Sequence, residues 1–226
     1  MVTTLGGVTQ QCLRGAGGTL PAIPSRTLLL RTGLFVAGST IVTLCYALTI
    51  QAALGLGPLF VVQQGLARTA GMSIGEAVIV TGLAMVVIAV CLRSFPGPGT
   101  LLLPIIGGVT LDAALPYVPS VHGVALRVVV VVLATWFMAL GGVCVIRADV
   151  GVAAYDAVML GFMRITRRPA GPIRVIMELT MLGCGWLLGG TVGLGTAITG
   201  LLIGPGLQFW LRVVRVPVAT RLQVES

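Results

Sequence analysis

The sequence predicts an all-α, polytopic helical membrane protein of about six transmembrane helices, arranged as two inverted three-span repeats. Three observations carry this reading. The chain is 57% hydrophobic and only 9% charged, whereas a soluble domain of this length carries about a quarter charged residues. Its uncharged runs, 32–67, 128–146 and 179–211, are each long enough for one or more spans of about 20 apolar residues. Finally, residues 31–112 align without a gap on residues 127–208 at an offset of 96, with about a fifth of the positions identical. The matches fall at Arg31/Arg127, Gly55/Gly151, Gly65/Gly161, Arg68/Arg164, Gly75/Gly171, Gly97/Gly193, Gly99/Gly195, Thr100/Thr196 and Gly108/Gly204. A duplicated apolar unit is a construction common in transporters.

The elements follow in order. Residues 1–27 are glycine- and threonine-rich, lack the apolar core of a signal peptide, and are expected to form a mobile cytoplasmic tail. The first repeat, 28–118, places spans at about 28–50, 74–92 and 100–115. Between the first two, 59–69 holds Gln63, Gln64 and Arg68. It is too short and polar to cross, so it reads as a short helix, interfacial or tucked into the protein. Arg93-Ser94-Phe95-Pro96-Gly97-Pro98-Gly99 must turn, because paired prolines and glycines cannot sustain a helix. A linker at 119–125 leads to the second repeat, 126–216, with spans at about 126–146, 173–188 and 196–211 and a short helix at 154–165. Residues 217–226 form a second cytoplasmic tail.

Three spans per repeat is an odd number, so the second copy enters the membrane from the opposite face. With the N-terminus inside, twelve arginines are cytoplasmic and only Arg68 and Arg127 lie outside, the asymmetry that orients multi-pass proteins. The expected topology is therefore multi-pass, with both termini cytoplasmic and the lipid bilayer as partner. The net charge of +8 does not indicate nucleic acid: lysine is absent, and no basic stripe is interleaved with aromatics. Cys12, Cys45, Cys91, Cys144 and Cys184 stand singly and offer neither a disulfide framework nor a metal site. His122 lies alone in a loop. No cofactor, metal or catalytic constellation is expected, and the chain does not read as an enzyme.

Acidic residues are few enough to weigh singly. Glu76 opens the second span, where a carboxylate suits the positive end of a helix. Asp112 and its mirror Gln208 read as boundary residues, and Arg147 and Asp149 as a local contact at a helix end. Glu178 lies inside the fifth span, where a carboxylate must find a partner, protonate or line water. Arg174, four residues earlier, shares its helix face. Asp156 can cap the second short helix, although its mirror is Phe60, so the copies differ chemically there. Gly97-Pro98-Gly99-Thr100 and Gly193-Leu194-Gly195-Thr196 each lead into a span, with free backbone N–H groups and a threonine to cap. Gly185–Gly189 and Gly200–Gly204 have the spacing that lets helices approach closely and read as internal packing. The substrate-lining set is thus Asp156, Arg174, Glu178, Gly99, Thr100, Gly195 and Thr196.

With Ala53-Leu54-Gly55-Leu56-Gly57-Pro58, Gln64-Gly65-Leu66, Ser73-Ile74-Gly75, Glu178-Leu179, the stretch Gly185–Thr196 and Leu202-Ile203-Gly204-Pro205, the chain resembles the bacterial YczE-like membrane proteins, often grouped with YitT- and YyaS-like proteins. The resemblance covers about residues 28–211 and is most specific over 186–196. It implies a bacterial cytoplasmic-membrane location and a polytopic α-helical fold, and it brings no established activity. The family pattern leads to an expectation of Pro-Trp-Asp after the first Gly-x-Gly turn, where this chain has Pro58-Leu59-Phe60. The carboxylate is kept only at Asp156.

Two functions are consistent with these features. One is a small transporter or permease of an unidentified small molecule or ion, with its path at the repeat interface. The other is a non-transporting accessory or assembly factor that works with a membrane-protein partner or as a homo-oligomer.

Overall fold

The computed structural model describes residues 25–94 and 97–214, so both expected tails fall largely outside the described residues. Every regular element among them is helical: α1 Ser25–Ala52, α2 Pro58–Ala70, α3 Ile74–Cys91, α4 Pro98–Ala114 with a 3-10 turn at Leu115–Tyr117, α5 Val124–Ala148, α6 Ala154–Thr166, α7 Ala170–Leu187 and α8 Leu194–Val213. Five stretches are long and apolar enough to cross a membrane: Leu29–Ala52, Ile74–Cys91, Gly99–Tyr117, Val124–Ala148 and Leu194–Val213. Helix α7, where a further span was expected, has the length, but Arg174 and Glu178 lower its apolarity. Large apolar side chains such as Val87, Val109, Leu133, Ile176 and Leu201 stand exposed on the outer helix faces. In water such a surface would associate; in hydrocarbon it is solvated.

Local chemistry sets the helix ends. Proline opens α2 and α4, where its missing N–H costs nothing. At α3, Ser73 accepts from Glu76 N–H while the Glu76 carboxylate accepts from Ser73 N–H, a reciprocal capping box. Asp112 reinforces that end by accepting from Gly75 N–H at 2.8 Å and from the Ser73 hydroxyl. The boundary readings of Glu76 and Asp112 thus become specific contacts of one helix start.

The 96-residue offset recurs in the backbone. Adding 96 to the bounds of α2 and α3 gives those of α6 and α7, and the C-terminus of α1 and N-terminus of α4 map onto those of α5 and α8. Left-handed residues recur likewise: Ala53 (φ 50°) and Asp149 (53°), Gly71 (66°) and Arg167 (54°), Arg93 (56°) and Gly189 (84°). In each pair the conformation is kept while the side chain differs.

Helices α1 and α5 form the central pair. They cross where Gly38 and Gly141 face each other, each so close to the other's carbonyl that a Cβ would fall 2.7 Å from its oxygen. Helix α4 packs on α1, and α8 on α5. The short helices dock across the molecule, α2 more extensively on α7 than on α3, and α6 more on α3 than on α7. Gly65 permits the first docking by lying against Leu188 and the Gly185 carbonyl, and Gly161 permits the second by lying against Leu92.

One correspondence fails. Helices α3 and α4 pack closely: a Cβ at Gly75 would strike the Gly108 carbonyl, one at Gly108 the Gly75 carbonyl, and one at Gly82 the ring of Pro104. Helices α7 and α8 barely touch among the described residues. Gly171, Gly200 and Gly204, which mirror Gly75, Pro104 and Gly108, have nothing within 4 Å of an added Cβ. The expectation that Gly200–Gly204 packs internally is therefore corrected: this face of α8 is open. Gly185 does pack closely, onto the backbone of α2 at Val61–Val62, whereas Gly189 serves as a left-handed turn residue.

Candidate functional site

The polar side chains of the second half converge where α6 begins beside α7. Arg174 Nε donates to Glu178 Oε1 at 3.0 Å, an i,i+4 pair whose side chains are 39% and 33% exposed. Because α7 starts at Ala170, Glu178 lies eight residues along it, about 12 Å at 1.5 Å per residue. Both halves of the pair are thus solvated or lipid-accessible in part, which keeps its stabilising contribution below about 1 kcal/mol.

Asp156 sits in the first turn of α6 and is half-buried. Burial raises its carboxyl above the ordinary range, and the positive charge of Arg174 pulls it back. Tyr155, absent from the sequence-derived set, belongs to the same cluster. Its hydroxyl is buried and has no hydrogen-bond partner among the described residues. Burial pushes it up to about 12; the Glu178 charge adds to this, Arg174 opposes it and Asp156 adds again. The available signal was its mirror, Leu59: a hydroxyl-bearing ring stands where the first half has an aliphatic chain. Glu178 and Gly200 stand at the positions that mirror Gly82 and Pro104, the residues that pack α3 against α4 in the first half.

The glycine turns are structural locks between the two halves. Gly99 N–H donates to Val150 O (3.2 Å), and Gly195 N–H donates to Leu54 O (2.7 Å). The Thr100 hydroxyl, fully buried, donates to Val152 O at 2.6 Å, while Thr196 Oγ1 accepts from Gly193 N–H at 3.2 Å. Gly55 meets the Gly193 nitrogen and Thr196 hydroxyl, and Gly151 meets the Thr100 nitrogen and hydroxyl, both too closely for a Cβ. The Gly99–Thr100 turn therefore abuts the loop that leads into Tyr155 and Asp156, whereas Gly195–Thr196 abuts the loop before α2. The seven sequence-derived residues do not form one cluster. Asp156, Arg174, Glu178, Gly99, Thr100, Gly195 and Thr196 also line neither of two cavities of about 540 and 340 Å³.

Other charges resolve as contacts of the scaffold. Asp149 pairs with Arg31 at 3.6 Å instead of with Arg147, and Arg147 donates to Leu211 O at 3.0 Å. The described cysteines, Cys45, Cys91, Cys144 and Cys184, are free, and no group of metal-ligating side chains occurs among the described residues.

Against known sequences, the profile described as a family of unknown function, DUF6198, matches residues 29–212. The chain is similar to the uncharacterized membrane protein YczE of Bacillus subtilis, 29% identical over 186 residues that cover 81% of this chain and 86% of the relative. It is also similar to an uncharacterized protein of Haemophilus influenzae, 27% identical over 167 residues that cover 74% and 77%. No solved structure matches.

Proposed function

We propose a role for this chain, which belongs to the DUF6198 family of unknown function, from its own geometry. It is a small transporter of the bacterial inner membrane, made of two inverted three-span repeats, with α7 as the sixth span and both termini cytoplasmic. The recurrence of helix bounds and left-handed turns at one offset supports the duplication. The odd number of spans per unit and the arginine asymmetry support the inversion.

The observation that carries the transport reading is the unequal closure of the two halves. Glycines seal α3 against α4, while the mirrored glycines of α7 and α8 face open space. Two copies of one unit, one closed and one open, are what alternating access requires: exchanging their conformations carries the opening to the other membrane face. The half-exposed Arg174–Glu178 pair lies in the open half, with Asp156 and the buried Tyr155 hydroxyl behind it. A carboxylate there can exchange a proton or meet a solute as the halves move.

The test is flux. Protein reconstituted in liposomes is assayed for electrogenic or proton-coupled uptake across a metabolite panel, beside Glu178→Gln. Flux lost with thermal stability unchanged supports the assignment; flux unchanged removes Glu178 from the mechanism. A chain that moves nothing yet co-purifies with a stable membrane partner is an accessory factor.

A further inference from the structure

A second polar feature lies away from the Glu178 cluster. The cavity of about 540 Å³ opens between α2, the end of α1, the start of α3 and the turn after α7, and is lined in part by Gln64, Arg68 and Thr191. Its size falls within the usual range for small-molecule sites, about 300–1,000 Å³. Gln64 is more than nine-tenths buried. Its Oε1 accepts from Thr191 N–H at 2.7 Å and from the Thr191 hydroxyl at 2.6 Å. A backbone N–H can only donate, so the amide orientation is fixed, and the Gln64 NH2 group is left with no acceptor among the described residues. Arg68 is exposed at the mouth. It spends Nη1 on the Gly189 carbonyl at 2.6 Å and has no carboxylate partner among the described residues. The nearest carboxylates in sequence, Glu76 and Asp112, are engaged at the start of α3. The remaining wall includes Ile50, Met72 and Ile74.

The second half supplies an internal control. Arg164 repeats the cap of Arg68, donating from Nη1 to the Arg93 carbonyl at 3.3 Å, so a capping arginine is part of the scaffold. Gln64 and Thr191 are not: their mirrors are Leu160 and Phe95. The α6–α3 docking forms with an aliphatic side chain at the position of Gln64. The buried amide therefore exceeds what the fold needs.

We propose that this cavity binds a small organic anion, a carboxylate or phosphate on a short apolar body, with the Arg68 guanidinium and the Gln64 NH2 group donating to the oxyanion and the apolar wall taking the body. The donor set suits that chemistry, since both free groups are hydrogen-bond donors and one is cationic. The binding site stands independently of transport: anion binding without flux would remove the transport reading and leave this one intact.

The experiment is calorimetric titration of the purified full chain in mild detergent with pentanoate, pentyl phosphate and dihexanoyl phosphatidylglycerol, with pentanol as the uncharged control. Gln64→Glu keeps both bonds from Thr191 but removes the donor and adds a negative charge. It should weaken anion binding about tenfold or more, as expected for a lost charge-assisted hydrogen bond. Gln64→Leu, which installs the side chain found at 160, should do the same should the charged variant fold poorly. Arg164→Gln should leave binding unchanged. Binding of the two solutes places a free anion in the site, and binding of the phosphatidylglycerol alone places a lipid headgroup there; each supports the proposal when Gln64→Glu abolishes it. Failure of all three anions to bind at millimolar concentration overturns it, as does equal affinity in Gln64→Glu and the unaltered chain.

Discussion

Gly108 and Gly204 are the same residue at mirrored positions, and the structure assigns alanine opposite consequences there. At Gly108 a Cβ would strike the Gly75 carbonyl and lie 2.6 Å from Ile79. The obstructing atom on one side is backbone, so α3 and α4 must separate. Overpacking of this kind costs about 1–3 kcal/mol, set against a gain of about 1 kcal/mol from exchanging glycine for alanine inside a helix. At Gly204 a Cβ meets nothing within 4 Å, so only the propensity gain remains. Gly108→Ala is expected to be neutral to destabilising by about 2 kcal/mol, and Gly204→Ala to stabilise by up to about 1 kcal/mol. For a chain of this length each kcal/mol moves the midpoint by about 2–4 °C. Thermal unfolding in a mild detergent, followed by tryptophan fluorescence, should therefore place Gly204→Ala several degrees above Gly108→Ala. Equal destabilisation would refute the reasoning, because α7 would then pack on α8 as α3 does on α4. Flux gives the complementary readout: if the open half closes during the cycle, Gly204→Val should slow transport without lowering the melting midpoint.

Two further substitutions and one fusion test other parts of the structure. Glu178→Gln should abolish flux while shifting stability by less than about 1 kcal/mol, because its pair with Arg174 is half-exposed. Thr100→Val removes a buried hydroxyl from Val152 O and should cost about 1–3 kcal/mol, read as a lower unfolding midpoint; an unchanged midpoint would show that the inter-half lock at this turn contributes nothing. A reporter fused after Ser226 should read cytoplasmic, and a periplasmic signal would overturn the six-span topology.

Much of the architecture was legible because it rests on local chemistry. Proline and glycine mark both ends of α2 and the starts of α4 and α8. The offset of 96 was legible from glycine, arginine and threonine matches, and the bounds of α2, α3, α6 and α7 recur at it. The unequal closure was not. Gly75 and Gly171 are identical, as are Gly108 and Gly204, yet only the first of each pair is packed. Tertiary placement decides that difference, and a residue's name carries no record of it. Asp149 likewise found Arg31 across the bundle in place of its sequence neighbour Arg147. Within the candidate site, the Arg174–Glu178 pair followed from helical spacing, whereas Tyr155 required knowing which ring atom is buried.

The crosswise docking of α2 and α6 bears on the history of the molecule. Each half lays its short helix and its glycine turn against the other, so the contacts that hold the chain together resemble those between subunits more than those within a domain. A change at Gly65 is felt at Leu188, and one at Gly161 at Leu92, each in the opposite half. The halves cannot drift independently, since selection on one edits the partner surface of the other. What the 119–123 stretch joins is, energetically, a pair of interlocked units, each of which needs the other to cover its short helix.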